Sequence, residues 1–82
     1  MKYTLKFKKK ALKFLDKLPK HELDVVLSKI NQLPHGQHIR PMKGYRDTYR
    51  LRVGDYRIIY EKNDMHYIIL VVDAGSRGDV YK

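Results

Sequence analysis

The sequence predicts an α+β domain in which an N-terminal helical hairpin packs on one face of an antiparallel sheet of about four strands, in the order β-α-α-β-β-β. Three observations predict this fold. Apolar residues repeat with helical spacing in two adjacent segments, they alternate on both sides of a Gly-Asp pair in residues 49–60, and they form a continuous run near the C-terminus. Because 82 residues are too few for two separate cores, we expect a single domain, residues 1–82.

Two changes of apolar period predict the first strand and the helical hairpin. Alternation in residues 2–7, KYTLKF, predicts a strand. Helical spacing follows in two stripes, which comprise Ala11, Phe14, Leu15 and Leu18, and then Leu23, Val26, Leu27, Ile30 and Leu33. Because a residue before proline disfavours helix, Pro19 should end the first helix near Lys17, and it can itself open the second.

The segment after the helices is predicted to be a loop that leads into the main strands. Residues 35–47 have no apolar period and contain two glycines and a proline, so we expect a loop with a short extended piece around residues 41–44. Residues 65–73, MHYIILVVD, are apolar on both faces. This pattern predicts a central strand.

Residues 49–60, YRLRVGDYRIIY, predict a β-hairpin with a type II′ turn, because Gly54 takes the first of the two central positions. Such a turn pairs Arg52 with Arg57 and Arg50 with Ile59. Directly paired residues share a face, so the three arginines should lie together on one side of the sheet. The alternate residues of the hairpin are apolar and should face the helices.

The charge of the chain indicates a polyanionic partner. Eighteen lysines and arginines against nine acids give a net charge of +9, which favours nucleic acid as the partner class. The excess is concentrated in a lysine-rich zone, residues 1–20, and an arginine-rich zone, residues 41–60. In the first zone Lys9, Lys13 and Lys17 stack four residues apart, which fits contact with ribosomal RNA or an ordinary solvated helix face.

The remaining composition limits the other classes of function. With no cysteine, no signal-peptide pattern and no long apolar span, the chain is expected to be cytoplasmic and to make no membrane contact. The four histidines have no spacing typical of a metal site, so we expect surface residues, no metal and no cofactor.

The arginine-bearing face has two interpretations. It is either an ordinary solvated surface, with Asp47, Asp55 and Glu61 as counter-charges, or a binding surface. We favour binding, because guanidinium groups suit phosphate recognition and because the same face is expected to continue into exposed apolar residues. Those apolar residues are Ile59, Ile68, Leu70 and Val72.

Two residues of the C-terminal segment SRGDVY are candidates for the same surface. Tyr81 could stack on a base and Arg77 could bind the phosphate beside it. Equally, Tyr81 could cap the core while Arg77 pairs with Asp79. Spacing alone does not separate these interpretations.

The segments FLDKLPK, RPMKG, YRLRVGDYRIIY and GSRGDVY, taken in order, resemble the RelE/ParE superfamily of bacterial and archaeal toxins over essentially the whole chain. The resemblance implies two helices against an antiparallel sheet. It also implies a ribosome-dependent endoribonuclease that cuts mRNA in the A site and is neutralised by a cognate antitoxin. The alternatives are a ParE-like inhibitor of DNA gyrase and a degenerate member that only binds its antitoxin.

The resemblance also implies roles for particular residues. Arg57 and Arg77 would stabilise the charge on the reacting phosphate, Tyr81 would stack on or orient the nucleotide, and Lys43 is a candidate for proton transfer. Arg50 and Arg52 would bind backbone phosphates. No metal is required for this reaction.

Two positions depart from the family pattern. Ser76 stands where many relatives have histidine, and Arg40 stands where others have glutamate. Neither replacement is an effective general base, so the group that takes the 2′-proton is not identified by the sequence.

Overall fold

The structure, a computed structural model, describes residues 2–76 and consists of a helical layer on one face of a mixed sheet. The two helices are α1 (Lys9–Asp16) and α2 (Lys20–Ile30). The strands are β1 (Thr4–Phe7), β2 (Ile39–Pro41), β3 (Thr48–Val53), β4 (Tyr56–Asn63) and β5 (Ile68–Ser76). This arrangement confirms the predicted α+β class and the helical hairpin.

The sheet has the order β1-β5-β4-β3-β2, which is one strand more than predicted. The extra strand is β2, which lies in the predicted loop and begins two residues before the expected extended piece. It is antiparallel to β3, as β3 is to β4 and β4 to β5. The first strand runs parallel to β5, so the sheet is not wholly antiparallel.

The helices end close to where the sequence predicts. The first stops at Asp16 with Lys17 as its C-cap, and Pro19 is the N-cap of the second. The second helix ends at Ile30, before Leu33, and a turn carries Leu33 into the core. No helix within residues 2–76 has both the length and the apolarity that crossing a bilayer demands.

The core lies between the helical layer and the sheet. Its fully buried side chains come from both helices and from strands β4 and β5: Ala11, Val26, Ile30, Ile58, Tyr60, Ile69 and Val71. Leu5 and Phe7 of β1, and Tyr3 just before it, pack against this core. One face of the sheet is therefore committed to packing against the helices.

The hairpin of β3 and β4 has the predicted register. Val53 pairs with Tyr56, and Arg52 pairs with Arg57. Of the two central turn residues only Gly54 has a positive φ, 57°, as a type II′ turn requires. Register is thus fixed by the turn, which determines the face on which each arginine lies.

Candidate nucleic-acid interface

Four arginines lie on the sheet face opposite the helices. The predicted trio Arg50, Arg52 and Arg57 is brought together by the hairpin register. The pairing of β2 with β3 adds Arg40, which lies directly opposite Arg50. We call these four residues the arginine face. It contains two like-charged cross-strand pairs, Arg40 with Arg50 and Arg52 with Arg57, an arrangement that destabilises a sheet in the absence of an anion.

Arg40 is a site residue that sequence reasoning missed. Its strand has three residues and follows a segment with no apolar period, so pairing with β3 left no recognisable signal. The resemblance marked Arg40 only as a departure from a glutamate. Its position in the sheet instead places a fourth guanidinium on the predicted binding surface.

Among the described residues, the counter-charges expected from the sequence do not pair with three of the four arginines. Within residues 2–76, no ion pair or side-chain hydrogen bond joins Arg40, Arg50 or Arg52 to an acid. The candidate acids Asp47, Asp55 and Glu61 are exposed. Glu61 lies on the same sheet face as Arg50 by the register of β3 and β4, but it forms no ion pair with Arg40, Arg50 or Arg52 within residues 2–76. The interpretation as a solvated, internally paired surface is therefore disfavoured in the described part of the chain.

The expected apolar continuation of this face is only partly present. Ile59 is 1% exposed and Val72 is 6% exposed, so the prediction that both are open to solvent is wrong. A β-bulge beside Val72 is one cause, because the register shifts between Ile59 and Tyr60 and displaces the residues of β5. Ile68 and Leu70 are half-buried and line a depression of about 690 Å³.

A buried carboxylate at the same bulge was also missed. Asp73 is 3% exposed, accepts a hydrogen bond from the Ala74 N–H at 2.8 Å, and lies 3.1 Å from the Lys10 Nζ. It is opposite Ile59 in the register, next to the arginine face. The ion pair links α1 to β5. In the sequence, Asp73 is the last residue of an apolar run, and nothing in that pattern indicates that it pairs with Lys10.

The lysine stripe lies on the other side of the molecule. Ala11 and Leu15 direct α1 towards the sheet, and steps of 100° per residue place Lys9, Lys13 and Lys17 on the outer surface of the helix. All three lysines are exposed. This lysine stripe and the arginine face therefore face in opposite directions and do not form one continuous surface.

The other predicted site residues have different positions. Lys43 is exposed in the turn between β2 and β3, at the end of β3 that is distant from the Arg52–Arg57 pair. Ser76 is half-buried and pairs with Tyr56. Arg77 and Tyr81 lie outside the described residues, so their predicted roles stay predictions.

Aromatic contacts hold the hairpin against the helices and the sheet. The Tyr56 hydroxyl donates a hydrogen bond to the Glu22 carboxylate, which raises the pKa of Tyr56, and its ring meets Phe14 edge-on at 5.7 Å. Tyr49 and Tyr60 stack with their centroids 5.5 Å apart. Burial raises the pKa of Tyr60 to about 12. These contacts fix the strands that carry three of the four arginines.

Metal-binding geometry is not found in residues 2–76, where no group of three or more histidine, cysteine, aspartate or glutamate side chains converges. The histidines at positions 21, 35, 38 and 66 are all exposed, as predicted. The chemistry available on the described surface is that of guanidinium groups, which bind phosphate oxygens through several hydrogen bonds at once.

Comparisons with known proteins identify relatives of this chain. Residues 5–81 match the family described as ParE toxin of type II toxin-antitoxin system, parDE. A RelE-like toxin protein of Escherichia coli is 34% identical over 87 residues, spanning 99% of this chain and 92% of that protein. In the archaeal RelE–RelB complex from Pyrococcus horikoshii OT3, one chain is 31% identical with a TM-score of 0.81, and the match covers 98% of this chain and 100% of that one. In the RelB–RelE antitoxin–toxin complex from Methanococcus jannaschii, the corresponding values are 29% and 0.76, with 93% and 94% covered.

Proposed function

Since this chain belongs to the RelE/ParE family of type II toxin–antitoxin toxins, we propose that it is a ribosome-dependent endoribonuclease. It cuts messenger RNA in the ribosomal A site and thereby inhibits translation. The observation that carries this proposal is the arginine face, where two like-charged pairs stand opposite each other and three of the four guanidiniums have no partner within residues 2–76. A phosphate backbone supplies an anion for these three guanidiniums.

The reaction is an internal transesterification of the RNA. The 2′-oxygen of a nucleotide bonds to its own 3′-phosphorus while the bond from phosphorus to the 5′-oxygen of the next nucleotide breaks. The products are a cyclic phosphate and a 5′-hydroxyl. The 2′-hydroxyl loses one proton and the departing 5′-oxygen gains one, so atoms and charge balance.

The arginines act by holding the phosphate and by stabilising the charge that builds up on it. Arg57 and Arg77 are assigned to the phosphorane, where removal of one preorganised donor costs about 10² to 10³ in rate. Arg50 and Arg52 hold neighbouring phosphates, and Tyr81 stacks on the nucleotide. These contacts keep the attacking oxygen in line with the leaving oxygen, which is itself a large part of catalysis.

Proton transfer is the step for which this site has the fewest suitable side chains. An arginine at position 40 remains charged and is a poor base, and Ser76 does not supply an imidazole. Lys43 is the candidate implied by the resemblance, but it lies at the end of β3 distant from Arg57, so the bound RNA would have to bring the reacting ribose towards it. Alignment of the RNA by the ribosome would then contribute more of the acceleration than in relatives with a histidine or a glutamate.

The proposed protein partner is an antitoxin with an acidic segment. Relatives 31% and 29% identical to this chain were solved as complexes with RelB antitoxins, which supports the assignment of such a partner. The net charge of +9 favours an acidic segment, and covering the arginine face would block access to RNA. The proposed active toxin is therefore the chain released from this partner.

The proposal is tested with ribosomes stalled on a defined message with an open A site. New RNA 3′ ends are mapped by primer extension after addition of the purified protein. We expect cuts confined to the A-site codon, none without ribosomes, and none when the attacking 2′-hydroxyl is replaced by hydrogen. Intact message at high protein concentration would refute the proposal.

Inhibition of DNA gyrase is the second candidate, and one comparison specifically favours it. The family that matches residues 5–81 is described by its ParE toxin. A gyrase inhibitor needs no base for RNA cleavage, which agrees with serine at position 76 and arginine at position 40. Supercoiling of relaxed plasmid by purified gyrase separates the two functions, since the endoribonuclease leaves that reaction unchanged.

A further inference from the structure

A second basic site lies around the edge of the sheet from the arginine face. It is a depression of about 520 Å³ between α2, the loop that follows it, and the end of β3. We call it the edge pocket. Its polar lining comes from Lys29 and Gln32 of the α2 region, from residues 35–38, and from Arg52.

The charges in the edge pocket are all of one sign. Lys29 and Arg52 are cationic, His35 and His38 each carry at least one N–H donor, and no aspartate or glutamate is among the lining residues. Within residues 2–76, neither Lys29 nor Arg52 forms an ion pair or a side-chain hydrogen bond. The nearest acids, Glu22 and Asp55, line an adjoining groove that shares Val25, Val53 and Gly54 with the edge pocket, but neither acid lines the edge pocket itself. The pocket therefore suits an anion.

Backbone hydrogen bonds hold the walls of the pocket in place. The Arg52 N–H donates to the His38 carbonyl oxygen at 3.0 Å, and the His35 N–H donates to the Gln32 carbonyl oxygen at 2.8 Å. His38 has a φ of 63°, and Gly36 between the two histidines has a φ of 120°. Non-glycine residues adopt the left-handed region at a cost, so the loop is held in its shape by these contacts. A preorganised donor set loses little freedom when it binds.

The pocket continues the arginine face. Arg52 belongs to both, because β2 pairs only with residues 49–51 of β3 and leaves the edge beyond Leu51 uncovered by a strand. A strand of RNA that leaves the arginine face over Arg52 arrives at Lys29 and the two histidines. An acidic peptide would need exposed apolar side chains in the pocket as an anchor. The pocket offers few, since Val25 is the one strongly exposed apolar residue of its lining.

We propose that the edge pocket binds a backbone phosphate of the same RNA strand that lies on the arginine face. This inference rests on the proposed function for the identity of the anion. Arginine, lysine and side-chain amide donors are the groups that contact nucleic-acid phosphates. The pocket would fix the direction in which the strand crosses the sheet edge.

The test uses a short 2′-O-methyl RNA, which cannot be cleaved, and the double variant Lys29→Gln/His35→Gln. The matched control is Lys8→Gln/His66→Gln, which makes the same chemical change at exposed residues that line neither the pocket nor the depression beside it. Fluorescence anisotropy gives the Kd at several salt concentrations. Thermal melting checks that both variants fold.

We expect the pocket variant to bind about tenfold more weakly than the wild type and the control. The slope of log K against log salt should fall by about 0.7, the value for one phosphate contact on a single strand. The amide resonances of Gly36 and Gln37 should shift when the wild type binds RNA. An unchanged Kd and slope would overturn the proposal and leave RNA on the arginine face alone.

Two other results would also overturn it. One is RNA binding that is unaffected by the variant while an oligoglutamate peptide loses affinity, which would assign the pocket to an acidic protein. The other is micromolar binding of inorganic phosphate in the pocket without any effect on RNA. Each is distinguishable from failure of the proposed function, which is decided separately by A-site cleavage on ribosomes.

Discussion

Replacing Arg40 and Arg52 by glutamine removes one guanidinium from each of the two like-charged pairs on the arginine face. Each arginine lies directly opposite a second arginine, and neither has an acidic partner within residues 2–76. If these side chains are retained to bind RNA, their removal should stabilise the free protein while weakening RNA binding. A structural role would have the opposite effect on stability.

The magnitude follows from the cross-strand geometry. Like charges directly opposite each other destabilise a sheet by about 0.2 to 1 kcal/mol, and the surface position of these pairs favours the lower part of this range. For both pairs we expect a gain of about 0.5 to 1 kcal/mol in the free energy of unfolding. In a domain of this size that is a rise of about 2 to 8 °C in Tm.

The assay is thermal unfolding followed by circular dichroism at low salt and at about 1 M salt, where screening shortens the Debye length to about 3 Å. The gain should largely disappear at high salt. The control Lys2→Gln/Lys43→Gln removes two exposed charges that are not paired across strands, and it corrects for the net-charge change. A Tm for Arg40→Gln/Arg52→Gln at or below that of the control at low salt would refute the reasoning.

Three further predictions concern the scaffold of the site. Lys10→Ala leaves the buried Asp73 carboxylate without its cation and should lower the free energy of unfolding by about 1 to 2 kcal/mol in urea denaturation; Lys13→Ala on the same helix should change it by less than about 0.5 kcal/mol, and equal effects would contradict the role of the ion pair. Tyr60 contributes stability that is complete below pH about 10, where the unfolded tyrosine ionises, and is lost as the pH rises towards its folded pKa of about 12. Between pH about 10 and about 12, the free energy of unfolding of Tyr60→Phe should therefore fall less than that of the wild type. Parallel falls in the two proteins, measured by denaturation at each pH, would contradict this. Gly54→Ala forces a side chain into a φ of 57° and should cost about 1 to 2 kcal/mol of unfolding free energy, with an unchanged Tm as the contrary result.

The hairpin shows why part of the site was predictable from sequence. A glycine at one turn position sets the register, and register alone decides that Arg50, Arg52 and Arg57 share a face. The helices could be predicted equally well from the sequence, because apolar spacing and Pro19 are local signals. The family resemblance was recognised through the same local segments.

The features that were missed depend on contacts between distant parts of the chain. The pairing of β1 with β5 joins Thr4 to Ile68, and no local pattern indicates whether such strands run parallel. Arg40 entered the site only through the pairing of a three-residue strand. Val72 was predicted to be exposed by simple alternation, which the bulge interrupts. The ion pair of Asp73 was missed because its partner, Lys10, belongs to α1, which is distant in the sequence.

The central claim is that the crowded arginines bind and stabilise a reacting RNA phosphate. It is tested most directly by the single-turnover rate of A-site cleavage on stalled ribosomes for the wild type and Arg57→Ala, with Tm measured on the same preparations. We predict a rate lower by at least about 10² for the variant, with a Tm within about 3 °C of the wild type. Equal cleavage rates for the two proteins, or no A-site cleavage by the folded wild type, would contradict the claim.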